Sequence, residues 1–262
     1  MADLEYEVRD GVGTILLNRP RRKNAFTMEM IDQWAGILVD ARTDPAVRVV
    51  VVTGAGDAFC SGVDLTQYAG SDSRPTPLER KRSLTDRIHR IAYALEDLDK
   101  PVIAAVNGVA VGAGMDMALM CDMRIAARSA RFSEGYIRVG LVPGDGGCYY
   151  LPRLVGVSKA LELLLSGDFV DATEAERLGI VNRTVDDDQL TTAVGELAGK
   201  ITNAPPVAVG MIKRATYQSA RTDLRTALDL ISSHMGVVTS TEDSAEALAA
   251  FREKRAPVFR GR

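Results

Sequence analysis

The run Val47 to Thr53 limits this fold more than any other segment. Apart from Arg48 it is an unbroken series of valines ending in threonine. A strand of that kind is buried on both faces, which calls for helices on either side of a parallel sheet. Around it the pattern alternates between strand and helix. Leu4 to Val8 and Gly13 to Asn18 read as two strands joined by a tight Asp10-Gly11 turn. Thr27 is placed to cap a helix that carries Ile31, Trp34, Leu38 and Ala41 on one face. Residues 55 to 75 are loop-like and end in a Gly/Ser/Asp/Pro cluster. A long helix follows, with Leu84, Ile88, Ile91 and Leu95 as its apolar face, and Pro101 introduces a strand from Val102 to Val106.

A helix from Gly112 to about Met120 and a strand at Met123 to Ala127 come next. Further helices are expected from near Ser158 and at Thr173. The second has a Thr173/Glu176 capping box and Gly179 as its stop. Val181 to Val185 is another short strand, and beyond residue 187 the pattern is helical, broken at Asn203-Ala204-Pro205-Pro206. The expected fold class is α/β, with a strand-helix core over residues 1–200 and a C-terminal helical subdomain over 201–262. Strand-strand-helix units recur loosely along the core.

Composition removes several function classes. The 262 residues are 46% hydrophobic, enough for a sizeable core, and the net charge of −3 gives no basic field for nucleic acid. Cys60, Cys121 and Cys148 are too few and too scattered for a disulfide framework or a zinc cluster, so a reducing cytoplasm is the expected setting. No apolar run approaches the length of a membrane span, and the first residues lack the pattern of a signal peptide. His89 and His234 have no metal-ligand partner at helical or turn spacing, so each reads as a surface or partly packed side chain and no metal is expected. The absence of a Gly-x-Ser-x-Gly elbow argues against a serine hydrolase.

The chemistry gathers at Val106-Asn107-Gly108-Val109-Ala110-Val111-Gly112-Ala113-Gly114-Met115-Asp116. This reads as an apolar strand, a glycine-rich turn, and a helix start with one carboxylate in its first turn. Unpaired N–H groups at such a helix start favour a negative charge. Gly54-Ala55-Gly56 is a decoy. It follows a strand, but Phe59 stands where a dinucleotide fingerprint needs its third glycine. The better pairing joins the Asn107–Asp122 segment to Phe59-Cys60-Ser61-Gly62-Val63-Asp64-Leu65. Further signals are Asn18-Arg19-Pro20 with Asn24-Ala25, Gly140-Leu141-Val142-Pro143 with Gly146-Gly147, Ala172-Thr173-Glu174-Ala175 with Gly179-Ile180-Val181, and the tail Glu253 to Phe259.

On these residues the chain resembles the enoyl-CoA hydratase/isomerase (crotonase) family over essentially its whole length. The resemblance implies a spiral of strand-strand-helix units assembled as a homotrimer or a dimer of trimers. It implies an acyl-CoA thioester substrate, with coenzyme A part of the substrate and no further cofactor. It also implies two backbone N–H donors for the thioester oxygen, by position Val63 and Ala113, with Gly62 and Gly112 permitting the sharp turns. Hydration of a 2-trans-enoyl-CoA is the favoured reaction. Double-bond isomerisation is the near alternative, and a catalytically silent acyl-CoA binder is a third reading.

The carboxylates depart from the usual pair of glutamates. Asp116 holds the first position, as in the dienoyl-CoA isomerase branch, and its small apolar neighbours should raise its pKa toward the working range of an acid/base. Tyr136 holds the second position, where a phenol donates a hydrogen bond but is a poor base at neutral pH. Glu134 lies two residues earlier and substitutes only if the local backbone differs; otherwise it is a solvated or structural charge. Asp145 is a turn aspartate or a third candidate; some branches carry a catalytic aspartate one position earlier, where this chain has Gly144. For coenzyme A, the resemblance points to the basic loop with Arg22, Lys23 and Ala25, to Ser61 and Gly62, to Asp64 and Leu65 on the adenine side, to Gly112, and to the tail with Lys254 and Phe259. The usual lysine after Leu65 is Thr66 here.

Overall fold

The computed structural model describes residues 2–64 and 76–262. Leu65, and most of the 66–77 loop expected to shape an acyl pocket, lie outside the described residues. In chain order the elements are β1 (Leu4–Arg9), β2 (Val12–Leu17), α1 (Met28–Thr43), β3 (Val49–Gly54), β4 (Ala58–Cys60), α2 (Pro77–Ser83) and α3 (His89–Asp97). Then come β5 (Val102–Val106), β6 (Val109–Val111), α4 (Ala113–Met120), β7 (Met123–Ala127), β8 (Arg131–Ser133), α5 (Gly147–Val155) and α6 (Val157–Ser166). The chain continues through β9 (Val170–Asp171), α7 (Ala172–Arg177), β10 (Arg183–Val185), α8 (Leu190–Thr202), α9 (Pro206–Ser219), α10 (Leu224–Thr239) and α11 (Glu242–Glu253).

Two sheets organise these elements. One has the order β1-β2-β3-β5-β7-β10 and is parallel except for the β1/β2 hairpin; the other has the order β4-β6-β8-β9. Successive turns of chain place one strand in each sheet and then a helix: β3 and β4, β5 and β6, β7 and β8. This is the expected spiral of strand-strand-helix units in an α/β fold.

The valine run behaves as its composition requires. Val50 and Val52 point into the main core, which includes Phe26, Trp34, Phe59 and Phe132. Val49 and Val51 point the other way, into a second core closed by Leu190, Ala193, Val194 and Ala198 of α8. The strand begins at Val49, after a turn in which Val47 is already buried.

Several expectations are corrected. The 55–75 stretch includes β4, a three-residue strand too short to show periodicity but paired in parallel with β6. The single long helix from Leu84 is α2, a widened turn at Leu84–Ile88 and α3, entered through a capping box of Thr76 and Glu79. Asp171, not Thr173, caps α7 by accepting from the Glu174 amide, and Glu176 accepts instead from the Thr184 amide. The strand expected from Val181 begins at Arg183, because the Ile180 and Val181 amides both donate back to the Ala175 carbonyl of α7. Helix α5 was not expected; Pro152 inside it and Gly146-Gly147 at its start hide it from a pattern reading.

Helix α4 sits at the centre, with all eight residues buried. Its first turn presses on β4: a Cβ on Gly114 would overlap the Cys60 carbonyl oxygen and crowd its carbon. At its other end the buried Arg124 donates to the carbonyls of Cys121 (2.6 Å) and Leu119 (3.3 Å) and to Ile180 (2.6 Å). A cation thus satisfies the helix C-terminus while the N-terminus stays open.

The Gly114 contact is backbone against backbone, so neither side can yield cheaply. Gly114→Ala is expected to destabilise the fold by about 2–3 kcal/mol, read from urea denaturation. Gly195→Ala, on the exposed face of α8 with nothing within 4 Å, is the control. It should gain roughly 0.5–1 kcal/mol.

Candidate active site

The loop carrying Val63 is fixed from three sides. Asn24, itself in a left-handed conformation, donates to the carbonyls of Ala55 (2.9 Å) and Ala58 (2.7 Å), and its oxygen accepts from the Arg19 amide. Asn107 donates to the Gly54 and Gly56 carbonyls, both at 2.9 Å. Arg19 donates to Asp64 at 2.8 Å and to the Ala25 carbonyl at 2.5 Å. Asp64 is therefore a buried ion-pair partner that holds its own loop.

These braces deliver Gly62 and Val63 to the start of α4. Phe26 donates to the Gly62 carbonyl and accepts from the Asp64 amide, so the Val63 amide between them is not used by that bridge. Gly62 has φ +93°, and a Cβ there would stand 3.4 Å from the Ala113 nitrogen. Gly112, at φ 53° and ψ −123°, turns the chain so that Ala113 opens α4. Among the described residues neither the Val63 nor the Ala113 amide has a protein acceptor. Two unpaired N–H groups on adjoining segments, one at a helix N-terminus, form a pocket for a developing oxyanion.

Asp116 follows one turn later and is fully buried. Its Oδ2 lies 2.7 Å from Tyr136 Oη, and the same Oη lies 2.8 Å from Asp145 Oδ2. Three sequence candidates are thus brought together. The fourth, Glu134, is also buried. Among the described residues, Asp116 Oδ1 and both Glu134 oxygens have no well-formed hydrogen bond. They converge on Gly147, where a Cβ would stand 2.5 Å from Asp116 Oδ1 and 2.8 Å from each Glu134 oxygen. Gly147 is glycine because the two carboxyls occupy that space.

Burial pushes the Asp116 carboxyl up to about 7, against the opposing pull of the Tyr136 hydroxyl and with a further push from the Asp145 charge. Glu134 is raised further by burial and by the charge on Asp116. Asp145 is raised by burial, and Tyr136 is raised by burial and by both aspartates. The pocket tolerates little negative charge, and burial beside Asp116 favours the neutral form of Glu134. The carbonyl of Gly144, next to Asp145, accepts from His89 Nε2 at 2.8 Å, which ties α3 to this loop. The sequence reading of His89 as a partly packed side chain is in keeping with that contact. The joining of Tyr136 to Asp145, and the place of Gly147 behind both carboxyls, were not read from the sequence.

The remaining candidates are stitched to the same loop or lie elsewhere. The Ser61 amide donates to the Lys23 carbonyl, and its hydroxyl donates to the Arg22 carbonyl. Lys23 pairs with Asp57 at 2.5 Å, and Arg22 is exposed. Lys254 ends α11 in a left-handed conformation, and the Phe259 carbonyl accepts from Arg48 at 3.0 Å. Among the described residues no cluster of metal-ligating side chains occurs, and no helix is long and apolar enough to cross a membrane.

Comparison with known proteins shows the family. The enoyl-CoA hydratase/isomerase family model matches residues 7–262. The chain is 38% identical to the 1,2-epoxyphenylacetyl-CoA isomerase of Escherichia coli over 255 residues, covering 97% of each. It is 37% identical to the short-chain-enoyl-CoA hydratase of Clostridium acetobutylicum, covering 93% of this chain and 92% of the relative. The crystal structure of an enoyl-CoA hydratase from Bacillus anthracis superposes with a TM-score of 0.94 at 35% identity, covering all of both chains.

A carboxyl whose pKa is higher folded than unfolded favours the native state only while protonated. Its contribution is complete below the unfolded pKa and is lost as pH rises toward the folded one. Glu134→Gln keeps the shape and removes that loss. The variant should be more stable than the parent by roughly 1–3 kcal/mol at pH 8, with the gap closing near pH 4. Thermal denaturation at both pH values measures it.

Proposed function

Since the chain belongs to the enoyl-CoA hydratase/isomerase family, we propose that it works by enolising an acyl-CoA thioester between the Val63 and Ala113 amides, with Asp116 as the acid/base. Enzymes of this type act on acyl-CoA, and this chain is one of them. The supporting observation is the placement of Asp116 one helical turn from the Ala113 amide, buried, with its pKa lifted toward neutrality. Each oxyanion donor is worth about 3 kcal/mol to such a transition state. A carboxyl tuned to the working pH transfers protons at carbon efficiently.

Hydration of a 2-trans-enoyl-CoA and migration of a double bond share this enolate. Isomerisation has a specific observation in its favour. The position of the second glutamate carries Tyr136, whose hydroxyl is engaged by two carboxyl groups.

Around that centre we assign Arg22, Lys23, Ala25, Ser61, Gly62, Asp64, Leu65 and Gly112 to the coenzyme A side, and Lys254 and Phe259 to the same ligand from the tail. Asp64 acts there through the ion pair that shapes the loop. Coenzyme A is part of the substrate, and the reading needs no other cofactor. The 201–262 segment is assigned to oligomerisation as a homotrimer or dimer of trimers. In support, α10 leaves Leu224, Leu228, Ile231 and Met235 exposed. The free thiols of Cys60, Cys121 and Cys148 suit a reducing cytoplasm.

A short trans-2-enoyl-CoA and a 3-enoyl-CoA test the reading. No turnover of either at high enzyme concentration would overturn it. Asp116→Asn should lower kcat/KM by about 10²–10⁴-fold and still bind acyl-CoA by calorimetry. The base must be ionised to act, so activity should rise with pH through a midpoint near 7, above the ordinary aspartate range. An unchanged rate in Asp116→Asn removes that residue from the mechanism.

A further inference from the structure

Tyr136 Oη lies within hydrogen-bond distance of two carboxyl oxygens, at 2.7 Å from Asp116 and 2.8 Å from Asp145. A phenol has one proton and can donate to only one of them. The other contact holds only if that carboxyl carries a proton and donates to the phenolic oxygen. Two bare oxygens at such a separation, with Asp116 and Asp145 both buried, would repel without compensation. The group Asp116–Tyr136–Asp145 therefore contains two hydrogen-bonding protons and one negative charge.

Position separates the two aspartates. Asp116 stands beside the oxyanion amides. Asp145 lies in the wall of a cavity of about 700 Å³ that extends past Tyr93, Met120 and Cys148 to Tyr217 of α9. Asp116 is not part of that wall. The two aspartates thus differ in setting: Asp116 lies one helical turn from the Ala113 amide, and Asp145 borders the cavity.

Resting on the reading of Asp116 as base, we propose that Asp145 is a second catalytic acid and that Tyr136 is the proton relay joining it to Asp116, so that the site migrates the double bond of an unsaturated acyl-CoA between two proton stations. With a 3-enoyl thioester, the Asp116 carboxylate takes a proton from C2. The C–H electron pair enters the conjugated system, and the negative charge falls on the thioester oxygen. The pair then forms the C2=C3 bond as the former C3=C4 pair takes the Asp145 proton at C4. Asp116 passes its new proton to Tyr136 Oη while the Tyr136 hydroxyl proton moves to the Asp145 carboxylate. The resting state returns with no water or co-reactant consumed.

Trans-3-hexenoyl-CoA in D2O is the probe, with conjugated-enoyl absorbance reporting migration and mass spectrometry reporting deuterium entering C2. In Asp145→Asn the side-chain amide can still donate to Tyr136 Oη but has no proton to give. Migration should fall by about 100-fold or more, with KM within about twofold, while C2 exchange continues through Asp116 and the half-buried Tyr136. Asp145→Glu should recover part of the migration. Tyr136→Phe should give a burst near one product per site and then a slow phase, because the stations can no longer reset. This variant also carries the test if Asp145→Asn fails to fold by circular dichroism.

Migration at the parental rate in Asp145→Asn, or loss of exchange and migration together in the folded variant, overturns the relay. Steady parental turnover in Tyr136→Phe overturns it as well. If the parent shows no C2 exchange, or if exchange survives Asp116→Asn, the reading of Asp116 as base fails, and the relay with it.

Discussion

Everything in the site depends on one close approach: the first turn of α4 packs against residues 60–62 with no side chain between them. Gly114 makes that contact possible from the helix, and Gly62 accepts the left-handed backbone on the other side. A Cβ on Gly114 would push the two segments apart and separate the Val63 and Ala113 amides. Hydrogen bonds from Asn24, Asn107 and Arg19 then prevent the loop from drifting away. The oxyanion pocket proposed here is thus built from backbone alone, and side chains act only as its scaffolding. Such a pocket is preorganised, which is the condition under which dipoles stabilise a developing charge.

Beside this pocket lies an unusual density of acids. Asp116, Glu134 and Asp145 share one buried volume, closed by Gly147 and bridged by Tyr136. Among the groups facing them, His89 has its Nε2 on a backbone carbonyl, and no described lysine or arginine bonds to any of the three carboxyls. Low polarity and mutual repulsion limit the charge the volume can carry. Burial, which would be a pure cost for a structural aspartate, is here what tunes Asp116 toward neutrality.

Much of the fold was legible because its cause is local. The valine run declares a strand covered on both faces, and Val49 to Val52 divide alternately between the two cores. The tight Asp10-Gly11 turn has both residues at positive φ, as a two-residue hairpin loop requires. What escaped the sequence depends on tertiary partners. Strand β4 has three residues and exists through its pairing with β6. Asp171 took the cap of α7 because β9 delivers it directly to the helix start. In the site, the glycines and Asp116 were readable from the turn chemistry and from a full-length resemblance. The contact of Tyr136 with Asp145 was not, since the eight residues between them carry no periodic signal and the two meet only when the Gly140–Gly146 loop folds back.

The tyrosine at the position of a second glutamate has a physical rationale in this setting. With Glu134 already buried two residues away, a glutamate at 136 would put a fourth carboxyl among three. Each added ionisation would be opposed by the others, and the pKa values would spread until most groups were neutral and idle. A phenol brings a donor and an acceptor without a charge. It keeps the hydrogen-bonded path between Asp116 and Asp145 while leaving a single negative charge to be moved along it. A neutral bridge thus stands where the family resemblance calls for a carboxylate. The reaction that gains most is one in which a proton leaves one carbon and enters another with no net change in protonation.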